Sequence, residues 1–292
     1  MPHDKRSNSI SRSSEKGGFS VMHLEHTSGY RLAVCEYGGQ VLSWTHPSGR
    51  ELLFLSRTAA FEAGKAIRGG IPVVFPQFGK GSLPSHGFAR LKPWAVVREH
   101  ASDSGAVSVV LRLSSDAETE SMWPHRFALE LEIELSDALR TTLRVSNAGE
   151  GPLCFFSALH TYFAVSDAER CVIQGLQGMR YVDFLAERQE SMESAPELAL
   201  AKATDRAYVR SPDTVLICDS AQPCTFSVTK RGFADTVVWN PWQEGNLALQ
   251  DLAPGSWHEM VCVESGNVLE PVTVAAGATH ESSQVLRASI GM

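Results

Sequence analysis

The sequence predicts an all-β fold, a large antiparallel β-sandwich with few and short helices. Short segments in which apolar and polar residues alternate recur from one end of the 292-residue chain to the other, and stretches with a helical period are almost missing. Strands do not alternate with helices, which removes the doubly wound and barrel α/β folds.

The clearest strand covers residues 129–135. Leu129, Leu131, Ile133 and Leu135 fall on one face and Glu130, Glu132 and Glu134 on the other, the period-2 pattern of a strand wet on one side. Residues 107–113 alternate more loosely. Further strands are predicted at 140–146, 214–218, 225–229, 259–264 and 284–288, with Asn147-Ala148-Gly149 and Pro254-Gly255 as turns. The best helix candidate is a short one around 198–203. Residues 1–18, rich in serine and mixed charge, read as a flexible solvated tail, and 19–292 as one domain of two packed sheets.

A net charge of −7 and a pI near 5.8 leave no general basic field for a nucleic-acid backbone or an anionic membrane surface. An anionic ligand must therefore be held by a local cluster of Arg or Lys. The six cysteines (Cys35, Cys154, Cys171, Cys218, Cys224 and Cys262) form no CxxC pair, so neither a zinc site nor a redox motif is predicted. Most lie among apolar neighbours, as in Leu153-Cys154-Phe155 and Val261-Cys262-Val263, and read as buried thiols in a reducing, cytoplasmic setting. No apolar run reaches the length of a membrane-spanning helix, and no secretory signal is read at the N-terminus.

Four segments break the alternation. In 67–79 (Ile-Arg-Gly-Gly-Ile-Pro-Val-Val-Phe-Pro-Gln-Phe-Gly) paired glycines and two prolines can present Arg68 from a rigid loop, although an arginine beside a structural turn gives the same pattern. In 83–90, His86 and Arg90 flank Gly87. Two arginines on two such loops offer the fork geometry that suits phosphate; the bland alternative is an ordinary surface arginine.

In 155–163, His160 sits amid large apolar residues. It is either a core histidine bonded to a backbone carbonyl or one on a cleft wall, placed to give a proton near neutral pH. In 260–267 a strand ends in Glu264 just before an expected turn. Pointing inward, that carboxylate needs a reason to be there; pointing outward, it is the first solvated residue after the strand. Trp239 and Trp242 could stack on sugar rings and Asp205 could accept from hydroxyls, with tryptophan in a β core as the alternative.

Taken in order, Arg68-Gly-Gly-Ile-Pro with Phe75-Pro-x-Phe-Gly, His86-Gly-x-Ala-Arg, Leu159-His-Thr-Tyr-Phe, Thr204-Asp-Arg-x-Tyr, Trp239-Asn-Pro-Trp and Cys262-Val-Glu resemble the aldose 1-epimerase (galactose mutarotase-like) superfamily, in particular its glucose-6-phosphate 1-epimerase branch. The resemblance implies a sandwich with an open cleft, no metal and no organic cofactor. It implies an isomerase that interconverts the α and β anomers of a small-molecule sugar phosphate by acid–base ring opening. By matching position it makes His160 the general acid, Glu264 the general base, Arg68 and Arg90 the phosphate clamp, His86 a ring or hydroxyl contact and Asp205 a hydroxyl acceptor. Where some relatives carry Gln before the His-Gly of the second loop, this chain has Ser85. The alternative is a non-catalytic carbohydrate-binding or sugar-sensing module on the same fold, against which the retention of both His160 and Glu264 speaks. A metal-dependent β-barrel enzyme would need a ligand cluster at short spacing that the sequence lacks.

Overall fold

Alternation in the sequence becomes alternation in burial. Along Phe127–Leu135 every second residue is buried, because period 2 puts those side chains on one face of the pleat. The intervening glutamates meet arginines of the same sheet. Glu130 pairs with Arg112, Glu132 with Arg144 at 2.9 Å and Arg98 at 3.2 Å, and Glu134 with Arg140 at 3.7 Å. The computed structural model describes residues 7–14, 16–102 and 104–291.

The other predicted strands form and run longer than expected: Val107–Ser114, Leu139–Asn147, Thr214–Asp219, Cys224–Arg231, Met260–Val274 and Thr279–Ile290. Most of them belong to a nine-stranded antiparallel sheet, ordered Glu197–Ala199, Cys171–Gln174, Thr214–Asp219, Cys224–Arg231, Thr279–Ile290, Leu139–Asn147, Phe127–Leu135, Val107–Ser114 and Ala95–His100. An eight-stranded sheet runs Gln189–Met192, Arg180–Asp183, Thr204–Tyr208, Asp235–Asn240, Met260–Val274, Leu153–Leu159 and Val73–Val74, with Tyr162–Ala164 also paired to Met260–Val274. A four-stranded sheet joins Ser9–Ser14, Ser20–Glu25, Arg31–Cys35 and Gln40–Thr45. All three contribute to one apolar core: Leu24 and Trp44 from the small sheet, Val238, Val261 and Val263 from the eight-stranded sheet, and Leu131, Phe226 and Leu286 from the nine-stranded sheet. Among the described residues no helix is long and apolar enough to cross a membrane.

Four local expectations are corrected. Part of the anticipated tail is a strand: Ser9–Ser14 pairs antiparallel with Ser20–Glu25, from Ser9 opposite Glu25 to Ser14 opposite Ser20. It is an edge strand, largely exposed and tied by the Arg12–Glu99 ion pair, so it carries no apolar alternation that could reveal it. Residues 1–6 of that tail lie outside the described residues. The region 198–203 is not helical. Glu197–Ala199 pairs with Cys171–Gln174, and the buried Leu198 and Leu200 follow a period of two in a run too short to separate strand from helix.

The strand holding Glu264 does not turn after it. Ser265, Gly266 and Asn267 continue the ladder opposite Leu159, Ala158 and Ser157, and a side chain at Gly266 would crowd Ala158. Cys154 faces outward and is exposed, whereas Cys35, Cys171, Cys224 and Cys262 are buried thiols.

Leu131→Ala is expected to lower unfolding stability by about 2–5 kcal/mol, the range for emptying a packed leucine site. Glu130→Ala, which removes only an exposed ion pair, should cost no more than about 1 kcal/mol. Denaturant midpoints of the two variants measure the difference, and a similar loss in both would contradict this assignment of the core face.

Candidate active site

The site is assembled by strand register. In the eight-stranded sheet Asp205 lies opposite Trp239, Trp239 opposite Cys262, and Cys262 opposite Tyr162. Two residues along, on the same face, Ala207 lies opposite Val237 and Val237 opposite Glu264. Val261 and Val263 alternate with Cys262 and Glu264 and enter the main core. One face of this sheet thus builds the core while the other floors a cleft.

His160 lies between Leu153–Leu159 and Tyr162–Ala164. Its backbone N–H donates to the carbonyl of Pro72 (3.0 Å), and that of Tyr162 donates to Gly70 (2.9 Å). This pairing draws the first Gly/Pro loop against the histidine strand and brings Arg68 to the cleft. The two glycines permit the approach: with φ of 116° and 62°, a Cβ at Gly69 would lie 2.4 Å from the Phe54 carbonyl oxygen and one at Gly70 2.1 Å from that of Val41. The buried Gln40 amide fastens the same loop, donating to the carbonyls of Ile67 (3.1 Å) and Gly69 (2.6 Å).

All six residues singled out in the sequence, Arg68, His86, Arg90, His160, Asp205 and Glu264, line one cleft of about 740 Å³. His160 Nε2 stands 3.3 Å from Glu264 Oε1, with the two side chains 7% and 1% exposed. His160 Nδ1 and Glu264 Oε2 are buried without a hydrogen-bond partner among the described residues. The imidazole stacks on the Tyr162 ring (4.7 Å between centroids, 11° between planes), and Trp239 meets both rings edge-on. These contacts fix the ring plane, so Glu264 approaches it at Nε2.

Burial governs the electrostatics. It pushes the Glu264 carboxyl well above the usual range, aided by Asp205 and opposed by Arg90. It holds the His160 imidazole well below its usual value, with His86, Arg90 and Arg68 acting in the same direction. His86 is driven down to about 3 by burial and then by Arg90 and Arg68. Its Nδ1 accepts a long 3.5 Å bond from the Gly79 N–H, which leaves Nε2–H as the donor. Asp205 is raised to about 7 by burial and by Asp183.

The two arginines differ in how they are held. Arg68 donates through Nε to Asp251 Oδ2 (3.1 Å) and through Nη1 to the Tyr162 hydroxyl (3.0 Å), and its Nη2 is 3.1 Å from the same carboxylate. Arg90 donates to the Ser85 carbonyl (2.7 Å), and its buried Nε has no partner among the described residues. Burial lowers Arg90 to about 10, which leaves it charged at neutral pH.

Sequence reasoning missed Tyr162 and Asp251 as the groups that orient Arg68, and Lys80 and Arg188 as cations lining the cleft. Asp251 is 183 positions from Arg68, and nothing in a linear pattern joins them. Arg188 follows Glu187 in a turn where both have positive φ (51° and 61°), a conformation that neither residue type advertises. Trp242 packs on Trp257 at 4.2 Å and does not line the cleft, whereas Trp239 does. Outside the cleft, Asp167, Glu169 and His258 bring one ligand atom each within 4.8 Å of one another. That group is already engaged: His258 is 3.5 Å from Asp167, whose carboxylate also caps the helical turn at Glu169.

Asp205 ties the site to stability. Its folded pKa is raised from 3.8 to about 7, so its contribution is fully present below the ordinary carboxylate range and is lost as pH rises through about 7. Asp205→Asn should therefore exceed the parent protein in Tm by more at pH 8 than at pH 4. Calorimetric scans at the two pH values test this, and a gap that does not change with pH would count against it.

Comparison with known proteins gives consistent results. The family model for aldose 1-epimerase matches residues 20–287. A protein of Cenchrus ciliaris named "Putative glucose-6-phosphate 1-epimerase" is 37% identical over 252 residues, covering 82% of this chain and 76% of that one. A protein of the same name from Escherichia coli K12 is 31% identical over 253 residues, covering 86% and 84%. The crystal structure of a protein described as "a putative mutarotase" from Salmonella typhimurium superposes with a TM-score of 0.88 at 26% identity, covering 100% of this chain and 96% of the other. With a match across nearly the whole chain, and with its motif residues gathered around one cleft, this chain belongs to the aldose 1-epimerase family.

Proposed function

We propose that the chain is a hexose-6-phosphate mutarotase, a glucose-6-phosphate 1-epimerase, and that His160 and Glu264 perform the proton transfers. The observation that carries this reading is the 3.3 Å approach of His160 Nε2 to Glu264 Oε1 in a cleft that also holds Arg68 and Arg90. Opening a cyclic hemiacetal removes the proton of the anomeric hydroxyl and delivers one to the ring oxygen. Both oxygens are bonded to the same carbon, so an acid and a base that serve them must be close neighbours.

The pair holds one transferable proton between its members. Imidazolium with carboxylate and imidazole with carboxylic acid carry the same net charge, and burial favours the second, uncharged form. In ring opening, Glu264 takes the O1 proton while protonated His160 gives one to the ring oxygen. The pair ends neutral and the sugar is an open aldehyde. Rotation about C1–C2 followed by the reverse transfers closes the other anomer. Ring opening therefore starts from the ion-pair form, which burial makes the less favoured one, and returns the pair to its uncharged form; ring closure re-forms the ion pair. No metal Lewis acid is required for a reaction that already proceeds slowly in water.

The carbon that bears the 6-phosphate is attached next to the ring oxygen, so in this reading the phosphate lies toward His160, whose ring meets His86 at 5.5 Å and stacks on the Tyr162 that bonds Arg68. Asp205 and the His86 Nε2–H are available to the sugar hydroxyls. The names of the Cenchrus ciliaris and Escherichia coli relatives support the phosphorylated substrate, and the buried free thiols at Cys171, Cys224 and Cys262 fit a reducing, cytoplasmic setting.

His160→Ala and Glu264→Gln should each slow anomer exchange of fresh α-glucose 6-phosphate by about 10²-fold or more, measured by polarimetry or exchange NMR, while thermal melts stay cooperative. Near-parental exchange in both would remove the catalytic assignment, and binding without acceleration by the parent protein would identify a sugar-binding module instead. The rate should also follow a bell-shaped pH profile with a broad plateau around neutrality. It falls at low pH, where the pair gains a second proton, and at high pH, where it loses the one it shares. A rate that climbs steadily through neutral pH would contradict the shared-proton scheme.

A further inference from the structure

Four cationic side chains line the cleft: Arg68, Lys80, Arg90 and Arg188. The charge of Arg68 is already met by Asp251 in a two-pronged contact. Arg90 is then the guanidinium on the floor with no carboxylate partner among the described residues. A sugar phosphate brings close to two negative charges at neutral pH, and charges moved into a largely enclosed site must be matched there. One uncompensated guanidinium is not enough.

The remaining positive charge stands at the mouth. Lys80 and Arg188 are both exposed and neither has an ion-pair partner among the described residues. Lys80 follows Gly79, whose N–H reaches His86 Nδ1 and whose carbonyl accepts the His86 N–H at 2.9 Å, so its backbone adjoins the His86–Arg90 side of the cleft. Arg188 comes from a different loop, between Arg180–Asp183 and Gln189–Met192. Its guanidinium lies 4.9 Å above the Phe184 ring, Phe184 meets Phe78 at 6.0 Å, and Phe78 meets the His86 ring at 5.0 Å. The Phe184 backbone N–H donates to the Asp205 carbonyl (2.9 Å), which joins that loop to the floor. An aromatic shelf therefore connects the two loops that carry the free cations, and it supports the Arg188 head at the rim.

We propose that Lys80 and Arg188 are substrate-binding residues that meet the phosphomonoester at the mouth from the two loops joined by the Phe78–Phe184 contact. With Arg90 below, they complete a cationic cradle that sets the preference for phosphorylated over free hexose. The identity of the ligand rests on the epimerase reading; the existence of an anion site at the mouth does not. In this arrangement Arg90 meets the phosphate from the floor, and the rim pair makes up the charge that Asp251 withdraws from Arg68.

The test is the double variant Lys80→Ala/Arg188→Ala, beside the charge-preserving Lys80→Arg/Arg188→Lys. The ratio of kcat/KM for glucose 6-phosphate to that for glucose should fall about tenfold or more in the alanine variant, as expected for removing charges that face an anion. The fall should appear in KM rather than kcat, and the charge-preserving variant should recover most of it. Calorimetric titration should show weaker binding of glucose 6-phosphate, with a flatter salt dependence, and a much smaller change for glucose. An unchanged ratio and unchanged affinity, or an equal loss for both sugars, would overturn the proposal. If His160→Ala abolishes exchange while the rim variant behaves as the parent, the rim assignment falls and the epimerase reading stands. If the parent protein does not catalyse exchange, the titrations with glucose 6-phosphate still decide the anion site.

Discussion

The strand Met260–Val274 serves two environments, and the rest of the site depends on that constraint. Val261 and Val263 fill the space between the large sheets, while on the other face Cys262 packs in a small apolar cluster with Tyr162 and Met260 and Glu264 lines the cleft. A strand wet on its second face would leave Glu264 solvated and ordinary. Here the second face is enclosed by the loops that carry Arg68, His86 and Arg90, so the carboxylate is almost fully buried and its protonation becomes responsive to what enters. Strand register does the positioning: once Val237 lies opposite Glu264 and Tyr162 opposite Cys262, the imidazole two residues before Tyr162 lies beside the carboxylate.

The loops are held to the sheet by backbone bonds rather than by side-chain packing alone. Pro72 and Gly70 accept the N–H groups of His160 and Tyr162, and Gln40 bridges the carbonyls that precede them. This is a stiff arrangement, and it suits a reaction in which little beyond proton transfer is required of the protein. The cost appears as buried polar atoms that have no hydrogen-bond partner among the described residues at His160, Arg90 and Glu264, groups whose bonding a sugar can complete. Unsatisfied polar atoms are uncommon in protein interiors, and a catalytic or binding role is one physical reason for keeping them.

Much of the architecture was legible because period-2 alternation is a local property. Phe127–Leu135 shows it in full, and its neighbours show enough of it to be placed. The legibility failed where alternation carried no signal: Ser9–Ser14 is polar on both sides, Glu197–Ala199 is too short, and the ladder continues past Glu264 through Ser265-Gly266-Asn267, residues that by themselves suggest a turn. At the site, chemistry-bearing residues stood out because glycine, proline, histidine and arginine interrupt the strands at places a sandwich does not need them.

The sequence by itself determined the fold class, the family and the residue types that meet in the cleft, because each is written in spacing and order along the chain. Tertiary structure alone decided which atoms face one another. It set Nε2 of His160 against Oε1 of Glu264, tied Arg68 to Asp251 from 183 positions away while leaving Arg90 without a carboxylate ion-pair partner among the described residues, and brought Lys80 and Arg188 from separate loops to the lining of one cleft. The physical reason is that strength and sign of an electrostatic interaction depend on separation and on exclusion of water. Neither quantity exists until the sheets have packed.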